Sequence, residues 1–478
     1  MEGSHQEIQA HLKNFGDFVE VSDVNIRAKK IGLLFSPFHY FVEVSEDPRE
    51  MPDSIDGSRF MSREFAAKVR ALMDVNYPEP SALLVHYKGF QGILVLRTEH
   101  VSTHSLQNQS RRSTQQMTGL QAMSRPVSNL ACILDYSRPH VNAYLDAKLV
   151  MLLAARGVQV EYLRALQTDY YRLLENMCND SASSDYFLRL NGRTIEGSQT
   201  HVDIEALRRE EVRKMVKRKR SGTEAALVRI LVPKARVVFG VGDPYGELKN
   251  GECYFKPTLL HGERREFETE KKVFVVRTPC YHPGDIHVFK LCHEKPAYQN
   301  LINCLVLPRG HAIENARADL NGNQFIVCWD AKLIPKLKVN PCSYLPTLRE
   351  RMKDSWDKCL SYFRSPQKTA KELREELIDH FASFKDDLPN GINKVFMKLA
   401  RRDSGLSLTE CEQLNRMYYQ ATNYSVDEEY FLKSLDDLER YYALRSFPRN
   451  QVGGPMFEDF KTAASRFFEE AKQNHFLD

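Results

Sequence analysis

The sequence has no C-x-x-C pair and no long apolar run. Its ten cysteines are scattered, without the spacing of a structural zinc site or a thioredoxin-like site, so reduced and mostly buried thiols are expected. The longest apolar runs, such as LVMLLAA at 149–155, are much shorter than the ~20 residues that cross a bilayer. The polar start is unlike a secretory signal. We therefore expect an intracellular protein, cytoplasmic or nuclear, with no membrane association.

The sequence also lacks a strong excess of charge of either sign. A net charge of +4 over 478 residues permits nucleic-acid binding but does not demonstrate it. Hydrophobic residues make up 42% and charged residues 27%, as in soluble globular proteins. The length allows two to four domains and a large core.

Hydrophobic patterning predicts β-rich and helical parts in the order β, α, β, α. Residues 31–46 and 82–99 have strand patterns, and an amphipathic helix over 62–75 is capped by Ser62. The patterns at 140–180 and 204–220 predict helices. Several strands follow up to residue 330, and nearly everything after about residue 346 has helical periodicity.

The segment DLNGNQFIVCWD at 319–330 suggests a metal site. In an extended loop Asp319, Asn321 and Asn323 share one side, and Gly322 permits a sharp bend. Three carboxylates in this arrangement would suit Mg²⁺, but only Asp319 is a carboxylate. A plain turn is the alternative, because Asn-Gly is a strong hairpin signal.

Several segments, taken in order, resemble the cell-encoded RNA-dependent RNA polymerases of RNA silencing. RTPCYHPGDIHVFK (277–290), NCLVLP (303–308) and DLNGNQFIVCWD (319–330) resemble the core of that family. VPKARVVFGVGDPYGELKNGECYFKP (232–257), RPHVNAYLDAKLVMLLAARGV (138–158) and PSALLVHYKGFQGILVL (80–96) resemble segments upstream of the core. The resemblance covers roughly residues 30–345.

The resemblance implies an α+β fold with two double-psi β-barrels, connecting helices and a C-terminal helical region. The expected domains are a first barrel with an N-terminal extension (1–135), a helical connector (136–225), a second barrel that carries the metal loop (226–345), and a helical neck or head remnant (346–478). Family members are much longer, so we expect most of their N-terminal region and part of their head to be missing here.

The family's activity is template-directed RNA synthesis from nucleoside triphosphates with Mg²⁺, which produces double-stranded RNA for small interfering RNAs. The resemblance places Asp319, Asn321 and Asn323 at the catalytic and metal-binding positions of the metal loop, residues 319–323. It also implies a set of nucleotide- or RNA-binding positions: Lys234, Arg236, Gln91, Gln116, Arg111, His282 and Asp285. The alternatives are a structural turn at His282–Asp285 and an exposed strand end at Lys234 and Arg236.

Neutral residues stand at several positions where the family has charged ones. Asn321 and Asn323 replace aspartates, and Gln91 and Gln116 replace lysines. Since phosphoryl transfer depends mainly on electrostatic stabilisation, we expect Mg²⁺ binding and synthesis to be weak or absent. The alternatives to an active polymerase are a non-catalytic relative that binds RNA and silencing proteins, and an incomplete pseudogene product.

Overall fold

A computed structural model shows two β-rich parts separated and followed by helices, in the predicted order. It describes residues 4, 6–7, 24, 27–28, 38–43, 58–73, 79–87, 90–96, 130–193, 203–220, 228–259, 263–308, 322–342, 369–383, 387–402, 406–423, 428–443, 451–452 and 455–473.

The first β-rich part forms a five-stranded sheet in the order β1-β5-β3-β4-β2. Its strands are β1 (Tyr40–Glu43), β2 (Ser58–Met61), β3 (Ala82–Tyr87), β4 (Phe90–Leu96) and β5 (Leu130–Tyr136). The predicted amphipathic helix is α1 (Arg63–Ala71), and the Ser62 side chain accepts a hydrogen bond from the Phe65 N–H. This confirms Ser62 as the N-cap.

The connector begins with a strand and continues as helices. Its elements are β6 (Asn142–Asp146), α2 (Ala147–Ala155), α3 (Val160–Asn176), α4 (Ser181–Leu190) and α5 (Ile204–Arg220). The helix predicted from residue 140 is wrong over 142–146, where buried Ala143 and Leu145 alternate with partly buried Asn142, Tyr144 and Asp146. This period of two fits a strand. The helix begins after Asp146, whose carboxylate accepts a hydrogen bond from the Leu149 N–H at 2.9 Å.

The second β-rich part is a closed barrel of six strands. Its elements are β7 (Arg229–Gly242), β8 (Glu252–Phe255), α6 (Arg264–Thr269), β9 (Lys272–Arg277), β10 (His287–Leu291), β11 (Cys304–Leu307) and β12 (Gln324–Cys328). The strand order is β11-β8-β10-β9-β12-β7, and β7 closes the barrel by pairing with β11. A 3₁₀ turn, Pro283–Asp285, precedes β10. The predicted α+β fold is confirmed, with one closed barrel in the described residues and a five-stranded sheet where the first of the two predicted barrels is expected.

The barrel interior is filled by apolar side chains. It includes Val273, Val275, Phe289, Leu305, Phe325, Val327 and Trp329. Burial of such side chains contributes roughly 25 cal/mol per Å² of apolar surface. Because β12 lies between β7 and β9, the end of the metal loop leads directly into the barrel wall.

The first sheet packs one face on the barrel and the other on α1. Ala82, Ile93 and Val95 lie in a cluster with Phe239 and Val306 of the barrel. The alternate residues of the same strands face the other way, against α1: Leu83, Val85, Leu94 and Leu96. The period of two therefore fixes which side chains of β3 and β4 can approach the second part.

The C-terminal helices pack against the connector. Their elements are α7 (Ala370–Ser383), α8 (Asp387–Ala400), β13 (Leu406–Ser407), α9 (Leu408–Asn423), α10 (Glu428–Ala443), β14 (Gln451–Val452) and α11 (Pro455–Gln473). The ring of Phe467 on α11 stacks on Tyr171 of α3 with centroids 4.4 Å apart. None of the described helices is long and apolar enough to cross a membrane.

A buried ion pair joins α5 to β7. The side chains of Glu211 and Arg229 are 8% and 7% exposed and form a short contact. The Tyr170 hydroxyl donates to Glu211 at 3.0 Å, and the Arg229 guanidinium lies 3.2 Å from the Tyr144 ring centroid. The pair is thus surrounded by partners that offset its loss of water.

Candidate functional site

The described end of the metal loop is a left-handed turn. Gly322 has a φ of +80°, and a Cβ added there would lie 3.0 Å from Leu84 Cδ1 of the first sheet. The backbone carbonyl of Asn323 accepts a hydrogen bond from the Gly240 N–H of β7 at 3.3 Å. Asp319 and Asn321 lie outside the described residues. A residue with a Cβ would be both strained and crowded at position 322.

This turn is not the hairpin that Asn-Gly suggests. Phe239 of β7 pairs with Cys304 of β11 and also with Gln324 of β12. The two strands therefore lie on opposite edges of β7, and the chain between them is a crossover. Gly322 and Asn323, the described end of the metal loop, therefore lie where the chain enters β12 from this crossover.

The start of β12 also contacts the first sheet. The Gln324 side chain donates a hydrogen bond from Nε2 to Asp135 Oδ2 at 3.2 Å. Asp135 pairs in register with Leu84, so one cross-strand pair touches both Gly322 and Gln324. These contacts place residues 322–324 at the junction of the two β-rich parts.

The donor set of the loop is poor in charge. Asp319 is one carboxylate, whereas Asn321 and Asn323 offer neutral amide oxygens. Magnesium prefers carboxylate oxygens in near-octahedral geometry. In the described ranges, no group of three or more His, Cys, Asp or Glu residues could hold a metal ion. The chemistry of these side chains therefore fits a divalent ion only weakly.

Lys234 and Arg236 are neighbours on β7 with opposite environments. The Lys234 side chain is 36% exposed and forms a 2.5 Å ion pair with Glu266. Burial opposes the charged form of Lys234, but the hydrogen bond to Glu266 prevails and raises its pKa. Arg236 is only 2% exposed, and burial lowers its pKa. Of the two, Lys234 is therefore the one that can reach a phosphate in solvent.

The Arg236 guanidinium is held inside the fold. Its Nη1 donates to the carbonyls of Pro233 and Ala235 at 2.7 and 2.8 Å. Its carbon Cζ lies 5.4 Å from the centroid of the Trp329 ring. Contact between Arg236 and RNA would require this side chain to leave its present position.

His282 and Asp285 flank a compact turn. His282 Nδ1 accepts a hydrogen bond from the Gly284 N–H at 3.0 Å. Burial and the nearby Arg156 charge lower the pKa of His282 to about 4. Asp285 accepts hydrogen bonds from Asn415 Nδ2 at 2.7 Å and from the Cys342 N–H at 3.3 Å. The geometry supports the structural-turn interpretation of this segment.

Arg156 anchors the same turn from the end of α2. Its guanidinium donates to the carbonyls of Pro283 and Ile286 at 2.6 and 2.9 Å, and to the carbonyl of Leu337 at 2.6 Å. A Cβ on Gly284 would lie 2.0 Å from the Asn340 carbonyl oxygen. The turn is thus enclosed by segments before and after it in the chain.

The structure brings only part of the predicted site into view. Gln91 lies on β4 opposite His86 of β3, one strand away from the sheet position that touches Gly322. Gln116 and Arg111 lie outside the described residues. Leu84, Asp135 and Gln324 carry no local sequence motif, because their contacts join segments that are far apart in the chain.

Comparisons with known proteins identify the family. A family model described as "RNA dependent RNA polymerase" matches residues 1–472. RNA-dependent RNA polymerase 2 of Arabidopsis thaliana is 25% identical over 475 residues, which cover 91% of this chain and 39% of that protein. RNA-dependent RNA polymerase 1 of Schizosaccharomyces pombe is 22% identical and covers 95% of this chain and 40% of its own length.

A solved structure shows a similar fold. RNA dependent RNA polymerase QDE-1 from Thielavia terrestris superimposes with a TM-score of 0.56 at 16% identity, covering 96% of this chain and 56% of that one. The chain therefore shares the fold of that protein over most of its own length. The chain belongs to the RNA-dependent RNA polymerase family. It spans less than half the length of the curated relatives named here.

Proposed function

We propose that this protein binds RNA as a member of the polymerase family but carries out template-directed RNA synthesis at or near background. One observation carries the proposal: only one of the three metal-loop positions, Asp319, is a carboxylate. Asn321 and Asn323 preserve approximate shape and remove negative charge. Loss of partners that merely orient metal ligands costs ~10–100-fold in metal affinity, and loss of two ligand charges should cost more.

Any residual reaction would be attack of an RNA 3′ hydroxyl on the α-phosphate of a nucleoside triphosphate. The hydroxyl loses its proton, a phosphodiester bond forms, and the bond between the α- and β-phosphates breaks to release pyrophosphate. Magnesium ions, held by Asp319 with Asn321 and Asn323, would stabilise the charge that develops on the attacking and leaving oxygens. The chain's own task is to bring those side chains together and keep them there. The left-handed Gly322 supports this role, because it turns the loop sharply at the barrel end.

Basic and polar residues would guide the RNA and the nucleotide. Lys234 is exposed enough to pair with a phosphate if it leaves Glu266. Gln91 and Gln116 stand at family lysine positions and would offer hydrogen bonds without charge. Arg111 is a further proposed RNA contact. Such a site would hold RNA more readily than it would catalyse phosphoryl transfer.

The test is an incorporation assay with purified protein, an RNA template, nucleoside triphosphates and Mg²⁺. The unmodified chain should give background incorporation, whereas the double variant Asn321→Asp, Asn323→Asp should gain activity because it restores two charges. Adding Asp319→Asn to that variant is the control and should abolish the gain. Robust synthesis by the unmodified chain would contradict the proposal.

The alternative is an active polymerase that makes double-stranded RNA for RNA silencing, which family membership favours. A third reading, an RNA-binding scaffold for silencing-pathway proteins, predicts no gain from the aspartate variant. Template binding should be measured beside incorporation, by fluorescence anisotropy with the same RNA. Binding without synthesis in both forms of the loop would favour the scaffold.

A further inference from the structure

The end of the metal loop rests on one residue pair of the first sheet. Leu84 and Asp135 are register partners on β3 and β5. A Cβ added to Gly322 would lie 3.0 Å from Leu84 Cδ1, so the Leu84 side chain packs against this glycine. Asp135 accepts the hydrogen bond of Gln324 Nε2 at 3.2 Å. Two adjacent points of one sheet therefore contact two positions of the turn.

Asp135 is itself fixed in place. Its Oδ1 accepts hydrogen bonds from Arg138 Nε and Nη2 at 2.9 and 2.6 Å, and from the Tyr136 N–H at 2.9 Å. This leaves Oδ2 for Gln324. Because Arg138 already balances the carboxylate charge, the contact offers a fixed acceptor more than a free negative charge.

On the barrel side, β7 holds the same turn. The Gly240 N–H donates to the Asn323 carbonyl, and Gln324 pairs with Phe239 in the ladder. The turn is thus held between two β-rich parts that are far apart in sequence. A loop whose ligands must converge on one ion gains affinity when its backbone is held in the bound shape.

We propose that Leu84, Asp135 and Gln324 are positioning residues that hold residues 322–324 against the first sheet and so fix the position of Asn323, the described member of the three metal-loop positions. The catalytic consequence of this proposal rests on the proposed function, whereas the contact between residues 322–324 and the first sheet is independent of it. Asp135 acts through Gln324 and Leu84 acts through Gly322, so none of the three needs to touch an ion or a nucleotide.

Hydrogen exchange tests the contact without any metal or turnover, in proteins that keep Asn321 and Asn323. Leu84→Ala and Gln324→Leu leave the charge unchanged, and each should make the amides of residues 322–328 exchange roughly tenfold faster. Leu94→Ala is the control, because Leu94 is buried against α1 on the opposite face. It removes a buried leucine side chain away from residues 322–324, so any acceleration it causes at residues 322–328 measures the effect of lower global stability and is subtracted from that of the test variants. Unchanged exchange in both test variants would overturn the proposal.

Metal affinity tests the consequence. In the Asn321→Asp, Asn323→Asp background, Mn²⁺ binding is followed by the loss of the free-ion signal in electron paramagnetic resonance. Leu84→Ala or Gln324→Leu should weaken Mn²⁺ binding ~10-fold, as for other residues that orient ligands. Template binding should not change, which a general loss of structure would not allow.

Asp135→Asn separates position from charge. In the background that already contains Gln324→Leu, it should weaken Mn²⁺ binding little further, because the contact is already gone. Asp169→Asn, which removes an exposed carboxylate paired with Arg172, is the matched control. Asp135→Asn could instead weaken Mn²⁺ binding equally with and without Gln324→Leu, by an amount that decreases as salt is added. That result would show that Asp135 acts only through its charge and would refute a positioning role. If the Asn321→Asp, Asn323→Asp variant itself does not bind Mn²⁺, that result counts against the proposed function. The hydrogen-exchange experiment then still tests whether the contact with the first sheet holds residues 322–324.

Discussion

The buried His282 should make the protein less stable in mild acid. It is 5% exposed, and burial with the nearby Arg156 charge lowers its pKa from 6.5 to about 4. The folded protein therefore keeps this imidazole neutral, while the unfolded chain takes up a proton as the pH falls below 6.5. Stability is lost over that window, down to about pH 4.

The expected loss follows from the pKa difference. One unit corresponds to ~1.4 kcal/mol, so the full difference corresponds to ~3 kcal/mol at pH 4. Of this, roughly 2 kcal/mol is lost between pH 7 and pH 5, because most of the unfolded-state titration lies there.

The assay compares urea unfolding of the unmodified protein with that of His282→Asn at pH 7 and pH 5. Asparagine keeps an acceptor near the Nδ1 position for the Gly284 N–H but does not titrate. The unmodified protein should lose ~2 kcal/mol more than the variant over this interval, since all other titrating groups are shared. The same pH dependence in both proteins would refute the reasoning.

Two further predictions concern charged side chains. Glu211→Gln should destabilise the protein by ~3–5 kcal/mol, because it leaves the buried Arg229 without its counter-ion; Glu210→Gln, at an exposed position, should change stability by less than ~0.5 kcal/mol in the same unfolding experiment. Lys234→Ala should weaken the binding of unrelated RNA sequences to a similar extent. It should also reduce the slope of log affinity against log salt concentration by about one, measured by fluorescence anisotropy. An equal loss of affinity in Lys290→Ala would show that Lys234 is not a specific RNA contact.

Much of the fold could be predicted from local patterning. The order of β-rich and helical parts, the cap at Ser62 and the strand pair at 82–99 all follow from periodicity and turn residues over short stretches. The strand β6 could not be predicted in this way, because Asp146 ends the strand and caps the following helix with no Gly or Pro between them. Without such a break, the short strand pattern at 142–146 is easily read as the first turn of the helix that follows it.

β7 shows a second limit of local prediction. A proline such as Pro233 is expected to interrupt a strand, but the structure has one strand of 14 residues across it. The pairing with β6 shifts register between Asn142 and Ala143, opposite residues 232–236. The residues around Pro233 are therefore skipped on that edge, where a proline has no N–H to contribute.

The candidate site was predictable only as a motif. The resemblance identified residues 319–323, but it could not show that Leu84 contacts Gly322 and that Asp135 contacts Gln324. The same holds for Arg156, which meets Pro283 across 127 residues of sequence. Such contacts depend on how whole sheets and helices pack, and a single sequence has no local signal for them.

The length of β7 has a consequence for any attempt to study the barrel alone. One edge of this strand pairs first with β6 and then with β11, while β12 occupies the other edge. A fragment that begins at residue 226 would carry every barrel strand yet leave half of that edge bare. Uncovered strand edges invite association between chains, so an excised barrel should aggregate unless residues 142–146 are supplied with it.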